Sequence, residues 1–316
     1  MRDAQRPRFL QQGRQWWQGP IRDVYEMAGR TADDHQIWVV TIGGEQREIT
    51  PKISTTNRKL DRMRSDSRIR ALVGRIRAAQ IASFSLLAGW TCPGARDCLA
   101  RVVDTHGKRS IQDGAFSEYR CYAAAMQAMY KAMHDAHRDN MLLAMALAKA
   151  DPTGQALADM LLDLIPPWIR VFRWHIAGDW FSLAYLRAAV LVAKARPDTL
   201  WYGYTKSLHL LAREYPTPEA LGPNFGLVLS KGGAFDRMMP DLVAAGYPVA
   251  HVVMHADQQP DLGPVDHSDA EALLACVDPD HGRSFRLVIH GNQPAGSEAA
   301  RAVARIRRES KAQAPA

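Results

Sequence analysis

The chain has no apolar run long enough for a membrane span, which argues against a transmembrane helix. It has no Gly-x4-Gly-Lys-Ser/Thr, and Gly232-Gly233 is too short to cradle a phosphate in the manner of a P-loop. It has no Gly-x-Ser-x-Gly, so a hydrolase built on a nucleophile elbow is not expected. No repeat of solenoid period occurs. Cysteine is scarce, with four in 316 residues and no Cys-x-x-Cys pair, so neither a disulfide framework nor a zinc-ribbon knuckle is read. Met1 to Leu10 are polar and Arg-rich without the apolar core of a secretory signal, so a reducing, cytoplasmic compartment is expected.

What is present suffices for a sizeable core. Hydrophobic residues make up 47% and charged residues 23%, which argues against global disorder. The net charge of +7 favours acidic partners such as nucleic acid or nucleotides.

From Trp168 onward, short apolar runs alternate with helical patterns. Strands are read at Trp168–Ile176, Leu200–Tyr204, Phe225–Ser230, Val249–Met254 and Phe285–His290, with Ile81–Leu87 before them. Helices are read at Glu118–Ala150, Gly154–Leu164, Phe181–Arg196, Leu208–Arg213, Phe235–Ala245 and Ser297–Arg307. Repeated strand–helix units imply an α/β fold with a parallel sheet, and we expect a partial (β/α)6-like barrel with an N-terminal appendage. The expected division is an arm and hairpin over residues 1–50, an α/β domain over 51–310 and a polar tail over 311–316. A short helix is expected at Arg22–Ala28, and a hairpin joins Gln36–Ile42 to Gln46–Thr50.

Three of the four cysteines, Cys92, Cys98 and Cys121, lie between one strand and the next helix. Thiolates there suit an iron–sulfur cluster or zinc, and a helix N-terminus at Cys121 would favour the thiolate. Ordinary buried thiols are the bland reading. Cys276 lies apart in sequence and would close the site if it joined as a fourth ligand.

If all strands run parallel, the residues after them meet on one rim. These are His175, Gly178, Asp179, Lys206, Ser207, Lys231, His255 and Asn292. His175, Asp179 and Lys206 are candidate catalytic residues. Gly178, Asp179, Ser207 and Lys231 are candidate ligand-binding residues. Against this, Asp179 could simply cap the next helix, and His175 could be a core histidine. His134 and His137 read as an exposed helical pair, and the Met-rich pattern of the same helix as core. Over Arg58–Gln80, Ile69, Leu72, Val73 and Ile76 repeat at helical spacing and place eight basic residues opposite them. That face is either a phosphate-contacting stripe or a solvated surface.

Thr91-Cys92-Pro93-Gly94-Ala95 with Cys98, Cys121-Tyr122-Ala123, His175 to Ser182 and Tyr204-Thr205-Lys206-Ser207 resemble the phage-borne gene product 88 family, over roughly Ile53 to Ile289. The chain departs from the family pattern at Ala177, where Ser is usual, and by an insertion between Cys98 and Cys121. More distantly, the order of these elements is similar to radical S-adenosylmethionine proteins. That resemblance implies a [4Fe–4S] cluster on Cys92, Cys98 and Cys121. It also implies S-adenosylmethionine held through Gly178-Asp179, and Lys206 and Ser207 near an unknown substrate. The other expectation is a nucleic-acid-binding protein with structural zinc or a closed cluster.

Overall fold

The structure is a computed structural model that describes residues 24–31, 34–42, 45–278 and 280–312. Most of the expected N-terminal arm, the Gly43-Gly44 turn and the last four residues lie outside the described residues.

Three antiparallel strands open the described chain: β1 (Val24–Thr31), β2 (Asp34–Ile42) and β3 (Glu45–Ile49), in the order β1-β2-β3. The β2–β3 hairpin is as expected, with Trp38 opposite Ile49. Val24 to Ala28 belong to strand β1 rather than to the expected helix, because they pair with β2. Here cross-strand bonding overrides a weak local helix propensity.

Two short helices follow, α1 (Arg58–Met63) and α2 (Ser67–Val73). Each starts on a side-chain cap, Asn57 accepting from the N–H groups of Lys59 and Leu60, and Asp66 from those of Arg68 and Ile69. The single basic helix expected over Arg58–Gln80 is therefore broken at Asp66.

The main sheet has six strands, β4 (Ile81–Phe84), β7 (Val171–Trp174), β8 (Leu200–Thr205), β9 (Phe225–Ser230), β10 (Val249–Val253) and β11 (Ser284–Val288). All pairings are parallel, and the spatial order follows the sequence order. The sheet therefore winds in one direction without a reversal of strand order. β4 and β11 are its edges, so the expected barrel is not closed by strand pairing among the described residues.

Between β4 and β7 lie a hairpin, β5 (Ala100–Thr105) with β6 (Lys108–Asp113), and the helices α3 (Tyr122–Met129), α4 (Lys131–Ala150) and α5 (Gln155–Leu164). The hairpin is the inserted segment between Cys98 and Cys121. Later crossovers carry α6 (Leu183–Ala195), α7 (Leu208–Glu214), α8 (Met239–Ala244) and α9 (Ala270–Val277), and α10 (Glu298–Ala312) closes the described chain. No described helix is long and apolar enough to cross a membrane.

Strand alternation divides the core in two. Phe84, Phe172, Trp174, Trp201, Leu227 and Leu229 face one side and pack with residues of α4 to α8. Ile81, Val171, Tyr202, Val228, Ala250 and Phe285 face the other, beneath α1, α2 and α9. The structure thus has helices on both sheet faces, and α9 fills the side that a closed barrel would keep as its interior.

Candidate functional site: a thiol cluster on the sheet rim

Because the six strands are parallel, the segments that follow them all emerge at one end of the sheet. The loop after β4 folds there as a tight unit. Thr91 donates from both its backbone N–H and its hydroxyl to Leu87 O, at 3.2 and 2.8 Å. Gly89 N–H points at Cys92 Sγ at 3.3 Å.

The loop then docks on the ends of β8 and β9. Ala234 N–H donates to Gly94 O at 2.8 Å, and Asp97 N–H to Gly232 O at 3.0 Å. A Cβ at Gly94 would lie 2.0 Å from Lys206 O, so only glycine permits this backbone approach. Asp236 clamps the partner loop, accepting from Gly232 N–H at 2.9 Å and Gly233 N–H at 2.8 Å. Past the β5–β6 hairpin, the N–H groups of Glu118 and Tyr119 both donate to Asp97 O, which returns the chain to the loop just before Cys121.

This folding brings Cys92, Cys98 and Cys121 into one electrostatic neighbourhood. All three are free and half-buried. Burial pushes Cys92 well above the ordinary thiol range, and Asp179, Cys121 and Cys98 add to the rise. Burial pushes Cys98 up to about 12, opposed by Lys206 and reinforced by Cys121, Asp179 and Asp97. Cys121 is also raised by burial, against the N–H groups of Ala124 and Ala123 at the start of α3 and the charge of Lys206. The helix N-terminus does act on Cys121 as the sequence suggests, but burial outweighs it. Among the described residues, no three or more His, Cys, Asp and Glu side chains are grouped so as to hold a metal ion.

Cys276 stands apart. It lies on α9 against Gly226, whose added Cβ would meet Cys276 Cβ at 2.2 Å. Gly226 is near the start of β9 and the thiol loop docks beyond its end, so ~13 Å or more of strand separates them at ~3.3 Å per residue.

Asp179 does not cap α6. Ser182 is the N-cap, accepting from Tyr185 N–H at 3.2 Å. Asp179 instead accepts from Trp180 N–H (2.7 Å), Thr205 Oγ1 (2.8 Å) and Lys206 N–H (2.8 Å), which fixes the end of β8. Burial raises its carboxyl to about 6 despite these donors. Gly178 has φ +91°, and an added Cβ would strike Thr91 Oγ1 at 2.7 Å, so it serves the close packing of this turn on the thiol loop.

Lys206 is buried. Its ammonium donates to Ser230 Oγ (2.9 Å), Ser230 O (3.2 Å) and Lys231 O, all at the end of β9. Ser207 is also buried, its hydroxyl donating to Trp180 O at 2.8 Å. The Lys231 side chain is exposed, and its backbone rather than its ammonium meets the site.

His175 lies in the core rather than at the rim. Its φ is +57°, its Nε2 pairs with Tyr185 Oη at 2.8 Å, and Nδ1 has no partner. Burial, with Arg173 nearby, depresses it to about 3, so it is a neutral ring at physiological pH. His134 is buried, and His137 is depressed to about 4 by burial and pairs with Gln127 at 2.8 Å, so this histidine pair is not the exposed one expected.

On the opposite edge, Gln293 rather than Asn292 makes contact. Its Oε1 accepts from Arg120 N–H at 2.7 Å, and its amide donates to Arg120 O at 3.3 Å. The Tyr122 ring lies 4.4 Å from the His290 ring. The segment holding Cys121 therefore links the β4 side of the rim to the loop after β11, where no strand pairing does so. Exposed Asn292 has no such role, and His255 donates its backbone N–H to Gln258 at 3.2 Å.

Sequence reasoning missed Asp97, Tyr119 and Ser230. Burial, with Cys98 next in effect, drives the Tyr119 phenol well up. Asp97 and Tyr119 lie within two residues of Cys98 or Cys121, and that proximity was the available signal.

The profile of the gene product 88 family matches residues 51–309. The chain belongs to the gene product 88 family. No curated protein and no solved structure matches it. The family match covers the parallel sheet and the whole rim, and it excludes the three-stranded sheet of β1 to β3.

In the basic segment of this family member, three cations are already engaged, Arg64 by Asp61 at 2.5 Å. Lys59 Nζ pairs with Asp269 at 2.5 Å, and Arg68 with Asp66 and Glu271 at 2.8 and 2.7 Å. Arg62, Arg70, Arg75 and Arg77 are exposed on it.

Proposed function

We propose that this gene product 88 protein carries a thiolate-bound metal centre on its rim, a [4Fe–4S] cluster held by Cys92, Cys98 and Cys121. The observation that carries this reading is that three thiols, distant in sequence, share one neighbourhood, with Cys121 acting on both Cys92 and Cys98. Ionising such a group is unfavourable unless something takes up the charge, since Cys121 raises both Cys92 and Cys98 and burial raises all three. A soft metal does that.

We read a cluster rather than a single zinc ion. Zinc requires its ligands at ~2.0–2.3 Å from one point, whereas a cluster spreads its thiolates over separate corners. With Cys276 held elsewhere, three ligands leave one position for an exogenous ligand. Such a centre would supply electron transfer, and with S-adenosylmethionine bound it would supply radical chemistry.

The protein's own residues set the surroundings. Lys206 places a fixed positive charge beside Cys98 and Cys121, which favours their thiolates. Asp179 pins Thr205 and Lys206 so that this charge stays in place. Its carboxylate already accepts three hydrogen bonds, which leaves about one lone-pair site for a ligand amine. We therefore read Asp179 first as a positioning residue, with Gly178 and Ser207 shaping the turn around it.

The test is iron, sulfide and zinc analysis, with absorption spectra, of protein purified without oxygen. Iron and sulfide in near-equal amounts are expected, lost in Cys92→Ala, Cys98→Ala or Cys121→Ala and kept in Cys276→Ala. Zinc alone, or iron that survives loss of any one of the three cysteines, overturns the reading. S-adenosylmethionine cleavage by the reduced protein tests the open position.

A further inference from the structure

Helix α3 and the segment that leads into it carry exposed aromatic side chains, independent of what the thiols hold. Seven large apolar side chains are exposed among the described residues: Leu72, Phe116, Tyr122, Met129, Tyr130, Trp168 and Val243. Four of them fall between residues 116 and 130. Phe116 is 51% exposed, Met129 53%, Tyr130 50% and Tyr122 38%. Isolated exposed apolar side chains need no explanation, but a concentration of this kind does.

The buried face of α3 explains why the helix does not hide these groups. Ala123 and Ala124 pack inward with Ala88, Ala100 and Ala177. Tyr122 and Met129 are seven residues apart and so lie on the opposite face, with Tyr130 next to them. Tyr122 and Tyr130 are near enough that Tyr130 contributes to the raised pKa of Tyr122, after burial.

Arginines accompany the rings. The Arg96 guanidinium lies 5.9 Å from the centre of the Phe116 ring, and that of Arg101 lies 4.6 Å from the Trp90 ring. Over residues 96–131 there are six basic residues (Arg96, Arg101, Lys108, Arg109, Arg120, Lys131) and four acidic ones (Asp97, Asp104, Asp113, Glu118), a net +2. Three of the four acids are engaged locally. Asp97 pairs with Arg96 at 3.2 Å, Asp104 accepts from Gly107 N–H at 2.8 Å, and Asp113 pairs with Arg120.

We propose that this surface, comprising Phe116 and Tyr130 with Arg96, Arg101 and Lys108, binds single-stranded nucleic acid. Flat, exposed rings receive unstacked bases whatever their sequence, and interspersed cations receive the phosphates. A duplex keeps its bases stacked on one another and cannot use the rings. A membrane surface would call for a broader apolar face and a denser basic one. The location differs from the Arg58–Arg77 stripe, which offers exposed arginines and, among its exposed large apolar side chains, only Leu72.

The test is fluorescence anisotropy of the full chain with labelled 15-nucleotide single strands of DNA and RNA and with a matching duplex. Single strands are expected to bind at least tenfold tighter than the duplex. With three or four phosphates contacted, log affinity should fall with log salt at a slope of about −2 to −3. Phe116→Ala is expected to weaken binding about tenfold and Phe116→Ala with Tyr130→Ala about a hundredfold. Arg70→Ala with Arg75→Ala and Arg77→Ala should change it less than threefold.

Phe116 and Tyr130 are half exposed, so loss of binding with unchanged circular dichroism and denaturation midpoint reports the surface and not the fold. Absence of single-strand binding at low salt overturns the proposal. So does binding that survives loss of the rings, or that is lost with the stripe arginines instead. Metal content, read in parallel, is expected to be unchanged in these variants, which separates this surface from the proposed centre.

Discussion

The two faces of the six-stranded sheet are made by alternate residues of the same strands, yet they are held by different physics. One face is an aromatic stack. Phe172, Trp174 and Trp201 pack against one another with ring centres 4.8, 4.9 and 5.7 Å apart, and Trp180 and Tyr185 close around Trp174. The other face, one residue along, holds Arg173, Tyr202 and Tyr204 against Asp266 and Asp269. Lys59 reaches in from α1 to complete it. Asp269 is fully buried with φ +62°, a conformation that few non-glycine residues adopt. Burial raises the Asp269 carboxyl, but Arg173 and Lys59 together hold it below the ordinary range, while Asp266 is raised by burial and by Asp269. A stacked apolar face tolerates change of shape in proportion to the volume removed. A charged face fails as a unit when one partner goes, because the remaining charges stay buried.

The sharpest way to break this contrast is to remove one charge. Asp269→Asn keeps the shape and the backbone preference but leaves Arg173 and Lys59 uncompensated. It is expected to cost about 3–5 kcal/mol in urea denaturation. Adding Arg173→Met and Lys59→Met should recover most of the loss, since apolar replacement of a buried ion set is often neutral or better. If the triple variant is as unstable as the single one, the inner face is held by packing and the contrast fails.

Acid should act next most strongly. His175 is held neutral, with its pKa depressed from 6.5 to about 3. Between those values the unfolded chain binds a proton that the folded chain refuses. Stability is therefore full above pH ~6.5 and is lost as pH falls toward about 3, by a total on the order of 2–4 kcal/mol. His175→Asn, which tolerates the same positive φ, should flatten the dependence of the denaturation midpoint on pH between 6.5 and 4. An unchanged slope would move the effect to other groups, His137 first.

A smaller effect tests how close α9 sits to the sheet. Gly226→Ala is expected to cost about 1–3 kcal/mol through overpacking. Cys276→Ala should not rescue it, because the obstacle at 2.2 Å is the Cβ of Cys276, nearer than its sulfur at 2.6 Å. Smallest of all, Arg305→Ala on the solvent side of α10 breaks an exposed pair with Glu309 and should leave the midpoint unmoved.

The readable parts of the sequence were those whose signal is local. Phe225–Ser230 is a strand with the bounds that its apolar run indicates, and Leu200–Thr205 exceeds the expected strand by one residue. The β5–β6 hairpin looked like a polar gap because its strands, ARVVDT and KRSIQD, carry polar or charged residues at most positions and lack a run of apolar ones. Glu118–Ala150 looked like one helix but breaks at Tyr130, whose backbone is extended, giving α3 and α4. Helix α9 followed a stretch rich in Asp and Pro that masks its start. At the rim, the three cysteines were legible as a group and Cys276 was not separable from them, since chain spacing says nothing about which end of a strand a helix covers.

The sequence by itself determined the strand–helix alternation, and hence a parallel sheet with its loops gathered at one end, because period and turn chemistry are encoded within a few residues. It also placed three thiols on one of those loops. Only the tertiary structure decided that Asp179 clamps β8 rather than capping α6, that His175 is buried and neutral, and that Cys276 belongs to the other end of the sheet. It alone brought the Cys121 segment across to Gln293. Each of these depends on groups far apart in the chain meeting at hydrogen-bond or van der Waals distance, and packing of the whole core fixes those distances.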